Sequence, residues 1–259
     1  MNYLDLFSGI GGFALGAHWA GVRFERHYFS EIDPWCVKLY QQRFPDAVPL
    51  GDITKIDGRA LVADAESADD EASEDTRRRG QVQSGGSGGV WIISGGFPCQ
   101  DISTAGKGAG ITGTRSGLWF EYARLIGEIR PRYAIMENVG ALTRRGLDRV
   151  LGSLAEIGYD AEWSDIRASD VGAPHRRERI WIVAYPHTPS EGLEGEKPKG
   201  VNGGESRLPS ERSYWSVEPD VGRVAHGIPS RVDRLKGLGN SIVPQIAEMI
   251  FRGLSCSPS

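Results

Sequence analysis

Residues 5–16 read DLFSGIGGFALG, closing an apolar run that starts at Tyr3 and passing through a glycine-rich turn into the next amphipathic stretch. Gly9 and Gly11 allow a sharp backbone turn and a close approach to a ligand, which the turn presents to the N-terminus of the following helix. A strand, a glycine turn and a helix in direct succession form the opening unit of an open α/β sheet wound on both faces. The rest of the chain continues that rhythm. Further strands are expected at Phe24–Ser30, Val90–Ser94, Tyr133–Glu137, Tyr159–Ile166 and Arg179–Tyr185, beside the first at Tyr3–Phe7. Helices are expected at Gly11–Trp19, Pro34–Phe44, Leu118–Ile129 and Arg144–Ile157, so the fold class is α/β, a doubly wound, mostly parallel, Rossmann-like sheet. Ligands of such sheets gather beyond the carboxyl ends of the strands, which makes the residues after each strand the ones to inspect.

Two segments break the rhythm. Residues 64–89 carry an acidic run, then Arg77, Arg78 and Arg79, then QVQSGGSGG, and read as a disordered surface insertion. Residues 186–230 are rich in Gly, Pro, Ser and Glu and read as a very small domain or a long functional loop, before a C-terminal part at 231–259. Residues 1–185 then form the main domain. With 259 residues and 39% hydrophobic content the chain can bury a proper core. It has no apolar run of bilayer-spanning length and no secretory signal, so a cytoplasmic protein without membrane contact is expected. Cys36, Cys99 and Cys256 match neither a disulfide framework nor zinc-ligand spacing, so no metal is expected and cysteine chemistry would be thiol chemistry. A net charge of −4 offers no global attraction to nucleic acid, and a nucleic-acid role would need a local basic surface.

The strand ends supply chemistry in order. The first turn suits a carboxylate or phosphate, and since Gly9, Gly11 and Ala14 satisfy a loose dinucleotide fingerprint, it does not separate a nicotinamide cofactor from S-adenosylmethionine. After the second strand, Ser30-Glu31-Ile32-Asp33 offers a carboxylate for ribose hydroxyls, which suits both cofactors. Asp52 could accept from an adenine amino group beside Ile53, which could pack on the ring. The strand VWIIS runs into GGFPCQDIS and brings Cys99 to the ligand edge, ahead of a segment, Ser103–Gly117, with five glycines and two basic residues, that reads as a mobile lid. Glu137-Asn138 ends the next strand and faces the same crevice. His175-Arg176-Arg177-Glu178-Arg179 leads into IWIVAY and sets guanidinium groups at the start of a buried strand, able to bind a substrate oxygen or phosphate.

Taken in order, FSGIGG, EID, GDI, GGFPCQDIS, RSGLWFEYARLI, ENV, RRERIWIVA and GLGNSIVPQIAE resemble the successive motifs of the cytosine carbon-5 DNA methyltransferases. The resemblance covers Asn2 to Tyr185 and Arg234 to Phe251 apart from the acidic insertion, and it is the joint order of the motifs that is specific. It implies that the Cys99 thiolate adds to carbon 6 of a flipped-out cytosine, while Glu137 contacts N3 and supports its protonation. Carbon 5 then takes the methyl group of S-adenosylmethionine, and loss of its proton with expulsion of Cys99 restores the ring. A carboxyl group in that role needs a raised pKa, which a water-poor pocket provides. Arg179 and Arg177 resemble the guanidinium groups that fix the base oxygen and support the loop.

For the cofactor, the resemblance puts Phe7 against adenine, the backbone of Ser8, Gly9, Gly11 and Gly12 near the methionine portion, Glu31 on the ribose, and Asp52 with Ile53 at the adenine edge, with Ile32 also in the cofactor pocket. Pro98 and Leu118 complete the wall. Asn240, Ser241 and Val243 approach the cofactor from a C-terminal helix, capped near Asn240, that returns beside the first strand. The departure from the family is the short stretch between Tyr185 and Arg231, which holds more Glu and Asp than Lys and Arg. Phosphate contacts would fall to Lys107, Arg115, Arg144, Arg145 and the Arg176–Arg179 run. The expected partner is double-stranded DNA and the expected state a monomer, with a partner subunit or a cognate restriction enzyme, as in restriction-modification, left open. A tRNA methyltransferase on the same motifs and a non-enzymatic cofactor- or DNA-binding protein are the alternatives. Hydride transfer has no use for the PCQ and ENV motifs together.

Overall fold

The computed structural model describes residues 1–67, 89–98, 117–187 and 241–255. Its strands are β1 (Asn2–Leu6), β2 (Arg26–Ser30), β3 (Val48–Pro49), β4 (Trp91–Gly96), β5 (Tyr133–Val139), β6 (Tyr159–Arg167) and β7 (Glu178–Pro186). They form one seven-stranded sheet in the order β3, β2, β1, β4, β5, β7, β6. β1 to β5 are parallel, and β7 inserts antiparallel to both β5 and β6. The helices are α1 (Gly12–Trp19), α2 (Pro34–Arg43), α3 (Gly117–Ile129), α4 (Leu142–Arg145), α5 (Leu147–Glu156) and α6 (Pro244–Ser255). Residues 58–67 are also helical.

Strand periodicity sorts the apolar side chains onto two faces. Leu4, Leu6, Trp91, Ile93, Ala134 and Met136 pack with Trp119, Tyr122, Leu125 and Ile126 of α3. Tyr3, Ile92 and Ile135 point the other way, toward Phe13 and Ala17 of α1, Tyr40 of α2 and Ile246, Ile250 and Phe251 of α6. Each large apolar side chain buried in this manner contributes about 1.5–3 kcal/mol, so both faces must be covered for the sheet to persist. α6 covers its face by lying directly on α1: a Cβ on Gly16 would stand 2.6 Å from both the Ala247 Cβ and the Pro244 carbonyl oxygen. Phe251 of α6 also meets Tyr3 of β1 edge to face, with ring centroids 6.2 Å apart. Among the described residues, no helix is long and apolar enough to cross a membrane.

The chain builds β1, β2 and β3 outward in one direction, then crosses back to place β4 on the other side of β1. The direction of winding reverses between β1 and β4, which opens a crevice beyond their carboxyl ends. Both segments that follow them, Phe7–Gly9 and Phe97–Pro98, line one cleft there.

Several boundaries differ from expectation for local physical reasons. The helical residues 58–67 take in the first four positions of the expected insertion, because Ala65 is fully buried and Asp64 bonds to the Tyr28 hydroxyl at 3.3 Å. Residues 68–88 of that insertion, and nearly all of the region at 186–230, lie outside the described residues. The helix expected at Arg144–Ile157 is two, α4 and α5, parted at Gly146 with φ 146°. α6 starts at Pro244 rather than near Asn240, since proline suits the first helical position.

Candidate active site

Backbone hydrogen bonds stitch the glycine turn to the end of β2. Ser8 N–H donates to the Ser30 carbonyl at 3.1 Å and Gly9 N–H donates to Glu31 Oε2 at 2.8 Å. The other oxygen of Glu31 accepts from Ile32 N–H and Asp33 N–H, both at 2.9 Å, so this carboxylate is held rigidly at the mouth of the cleft. Asp33 caps α2, accepting from Trp35 N–H and Cys36 N–H, with Pro34 in the first turn. Phe7 takes a left-handed φ of 50°, a strained setting for a non-glycine residue, and its ring stacks on Tyr122 at 6.4 Å.

On the far wall, Asp52 caps the short turn Ile53–Lys55 through Thr54, which holds its carboxyl below the ordinary range. Arg124 of α3 grips that turn by donating to the carbonyls of Ile53 and Ile56 at 3.4 and 3.1 Å, and is itself paired with Glu121 and Glu128. Sequence reasoning missed this anchor, which lies 71 residues from Ile53.

The second half of the cleft is polar. Glu137, near the end of β5, is 9% exposed. Burial pushes its carboxyl up to about 7, although the guanidinium groups of Arg179 and Arg177 oppose the rise. Arg179 Nε stands 3.0 Å from Glu137 Oε1. The neighbouring Asn138 donates to the Phe97 carbonyl at 2.9 Å and accepts from Val139 N–H at 2.8 Å, tying the end of β5 to the residues just before position 99. Arg177 donates to the Ser241 carbonyl, and burial lowers its own pKa.

Beneath the glycine turn is a buried network that the sequence did not disclose as a unit. Asp5 is fully buried on β1 and accepts from the Ser94 hydroxyl at 2.9 Å and the Tyr40 hydroxyl at 3.0 Å. Burial raises its carboxyl to about 8 against these bonds and that from the Ala14 backbone. The hydroxyl of Tyr3 lies 2.6 Å from Ser94 Oγ, and His27 Nε2 lies 2.7 Å from the Tyr40 hydroxyl. Burial pushes His27 down to about 4, so the ring is neutral, and with Tyr40 donating to Asp5 the His27 Nε2–H donates to Tyr40. The network supports the turn from below, because a Cβ on Gly11 would meet the rings of Phe44 and Tyr40 at 3.0–3.1 Å.

One cleft of about 590 Å3, of the size that holds a small-molecule cofactor, is lined by Phe7, Ser8, Gly9, Gly12, Glu31, Ile32, Asp52, Ile53, Pro98, Leu118, Glu137, Arg177, Arg179 and Ser241. Two other expected residues stand behind it. Gly11 forms the N-cap of α1 with φ 85°, and Val243 packs in the core with Ile246 and Phe13. Cys99 and Asn240 lie outside the described residues, as do Lys107 and Arg115. Asp33, from the Ser30–Asp33 segment expected at the ribose, also lines the cleft, as do Phe13, Cys36 and Ile242, which were not anticipated. Ile242 carried no chemical signal in the sequence, since only the fold brings it onto the turn. Whether the donor set fits S-adenosylmethionine is tested by Ser8: its buried Oγ has no partner among the described residues, as suits a hydroxyl set to meet a carboxylate. The carboxylates of Glu31 and Asp52 and the apolar Phe7, Ile32, Ile53, Pro98 and Leu118 suit a ribose and an adenine.

A family model described as C-5 cytosine-specific DNA methylase matches residues 1–214. The chain is 38% identical over 186 residues to the type II methyltransferase M1.ScrFI of Lactococcus lactis subsp. cremoris, covering 70% of this chain and 41% of that protein. It is 32% identical over 237 residues to the type II methyltransferase M.NlaIV of Neisseria lactamica, covering 82% and 48%. It thus spans somewhat under half the length of these curated relatives. Among solved structures, a mutant DNMT2 of Spodoptera frugiperda superposes with a TM-score of 0.53 at 18% identity, over 75% of this chain and 53% of that one, a likeness of fold.

Proposed function

Because the chain belongs to the C-5 cytosine-specific DNA methylase family, we propose that it methylates carbon 5 of cytosine in double-stranded DNA with S-adenosylmethionine as the donor. The observation that carries this reading is the meeting, in one cleft, of the glycine turn with its carboxylate-held walls and of a carboxyl group whose pKa burial raises to about 7. S-adenosylmethionine supplies an electrophilic methyl group. Ser8 would hold its carboxylate, Glu31 its ribose, and Phe7, Ile32 and Ile53 its adenine.

The residues of the chain then have distinct tasks. The Cys99 thiolate adds to carbon 6 of the cytosine, which raises the electron density at carbon 5. Glu137 holds the proton at N3 that this addition requires, and its raised pKa keeps a useful protonated fraction near neutrality. Arg179, paired with Glu137, fixes the carboxyl and offers N–H donors to the base oxygen. Once carbon 5 carries the methyl group its proton passes to water, the freed electron pair restores the carbon 5–carbon 6 double bond, and the carbon–sulfur bond breaks so that Cys99 leaves as a thiolate. The base must leave the helical stack to reach these groups. We also infer a cytoplasmic monomer, with a partner subunit or a restriction enzyme as the alternative setting for so short a recognition region.

The test is transfer of labelled methyl groups to DNA and to tRNA by the wild-type chain and by Cys99→Ala, alongside covalent trapping on DNA that contains 5-fluorocytosine. Transfer to DNA that Cys99→Ala abolishes supports the reading. Transfer to tRNA alone, or cofactor binding without a trapped complex, overturns it. Bisulfite-type sequencing of DNA from expressing cells would then identify the target site.

A further inference from the structure

Arg177 occupies a position that its place in the motif does not explain. It sits between β6 and β7 with φ 21°, a left-handed backbone setting that costs a non-glycine residue about 1–2 kcal/mol. The setting is held by Ala168 N–H, which is shared between the carbonyls of Arg176 at 2.9 Å and Arg177 at 3.3 Å. Strain that the surroundings maintain at the edge of a cleft is a reason to ask what the residue does.

Its side chain lines the cleft and donates to the backbone carbonyl of Ser241, 64 residues away. Ser241 and Ile242 belong to no helix or strand, so no ladder of backbone bonds holds them. They nevertheless lie hard against the glycine turn: a Cβ on Gly12 would stand 2.6 Å from Ile242 Cγ1 and 3.5 Å from Ser241 Oγ. The Arg177 guanidinium lines the same cleft as Glu137, and its charge, like that of Arg179, works against the rise that burial gives the Glu137 carboxyl. One side chain therefore touches the segment that closes the cofactor side and biases the acid on the base side.

We propose that Arg177 is a positioning residue that couples the two halves of the cleft, seating the C-terminal segment on the glycine turn through the Ser241 carbonyl while its charge faces Glu137. This rests on the methyltransferase reading and adds to it a reason for the second arginine of the RRER run. The charged groups facing Glu137 are Arg179 of β7 and Arg177 itself, so removing one of two cations leaves its protonated form favoured to higher pH.

The experiment combines calorimetric binding of S-adenosylhomocysteine with the pH profile of kcat/KM for DNA methylation, on wild type, Arg177→Gln, Arg177→Lys and Ile242→Ala. Arg177→Gln weakens S-adenosylhomocysteine about ten-fold or more, as loss of a charged hydrogen bond implies, and moves the alkaline limb of the profile upward. Arg177→Lys keeps the charge and therefore the wild-type limb, with an affinity between those of wild type and Arg177→Gln. Ile242→Ala weakens S-adenosylhomocysteine and leaves the limb in place. Wild-type affinity in Arg177→Gln, or an unmoved limb, overturns the coupling and leaves the methyltransferase reading standing. If Arg177→Gln does not fold, the Arg177→Lys and Ile242→Ala pair decides, and wild-type affinity in both overturns the proposal. A wild-type chain that binds no S-adenosylhomocysteine overturns both.

Discussion

Arg179 Nε and Glu137 Oε1 lie 3.0 Å apart although the two residues are not opposite each other in the ladder: Glu137 faces Trp181, and Arg179 faces Val139. The ion pair is a diagonal across the antiparallel β5–β7 pair, on one face of the sheet. Burial outweighs the pair, so the carboxyl titrates near 7 and not below its ordinary value.

That balance predicts a stability difference that depends on pH. Because the folded pKa of Glu137 lies above its unfolded value, the folded state holds the proton more tightly, and stability falls as pH rises from 4.5 to about 7. Glu137→Gln does not titrate. It should match wild type below pH 4.5 and exceed it at pH 8 by about 1–3 kcal/mol, while methyl transfer is abolished. Thermal unfolding at both pH values checks this, and an equal offset at the two would reject it.

Asn138 offers a test of how the residues before Cys99 are held. Asn138→Ala removes the donor to the Phe97 carbonyl. Methyl transfer should fall about tenfold or more, equivalent to a barrier increase above 1.4 kcal/mol, with S-adenosylhomocysteine affinity nearly unchanged. A matching loss in both would mean that Asn138 serves the cofactor side instead.

Two glycines should respond in opposite directions to alanine. Gly16→Ala drives a Cβ into α6 at 2.6 Å and should destabilise the protein by about 1–3 kcal/mol while weakening cofactor binding. Gly152, inside α5, has open space at its Cβ position, so Gly152→Ala should stabilise by about 0.5–1 kcal/mol without touching activity. Chemical denaturation of both variants, with calorimetry on the first, decides the matter.

The network under the glycine turn gives a further pH signature. The Tyr40 hydroxyl lowers the pKa of Asp5, which means that it favours the ionised form. Tyr40→Phe should therefore cost more at pH 9, where Asp5 is ionised, than at pH 6, by about 1 kcal/mol or more. A penalty that is the same at both would show that Asp5 keeps its proton throughout.

Residue order alone determined the strand, turn and helix at Tyr3–Trp19, the alternation that follows, and the positions at strand ends where chemistry belongs. These are local matters, set by side-chain period and by the backbone freedom of glycine, and the cleft residues Glu31, Asp52 and Glu137 were legible for that reason, whereas Phe7 and Ser8 came from the family resemblance. Sequence did not reveal that Gly146 divides one helix into two, nor that residues 64–67 stay in the fold, because both depend on what the neighbouring elements bury. Tertiary structure alone decided three things: the acid strength of Glu137, the place of Ser241 and Ile242 on the glycine turn, and the network around Asp5. Each arises from groups far apart in the chain, and desolvation and close packing exist only once the sheet has brought them together.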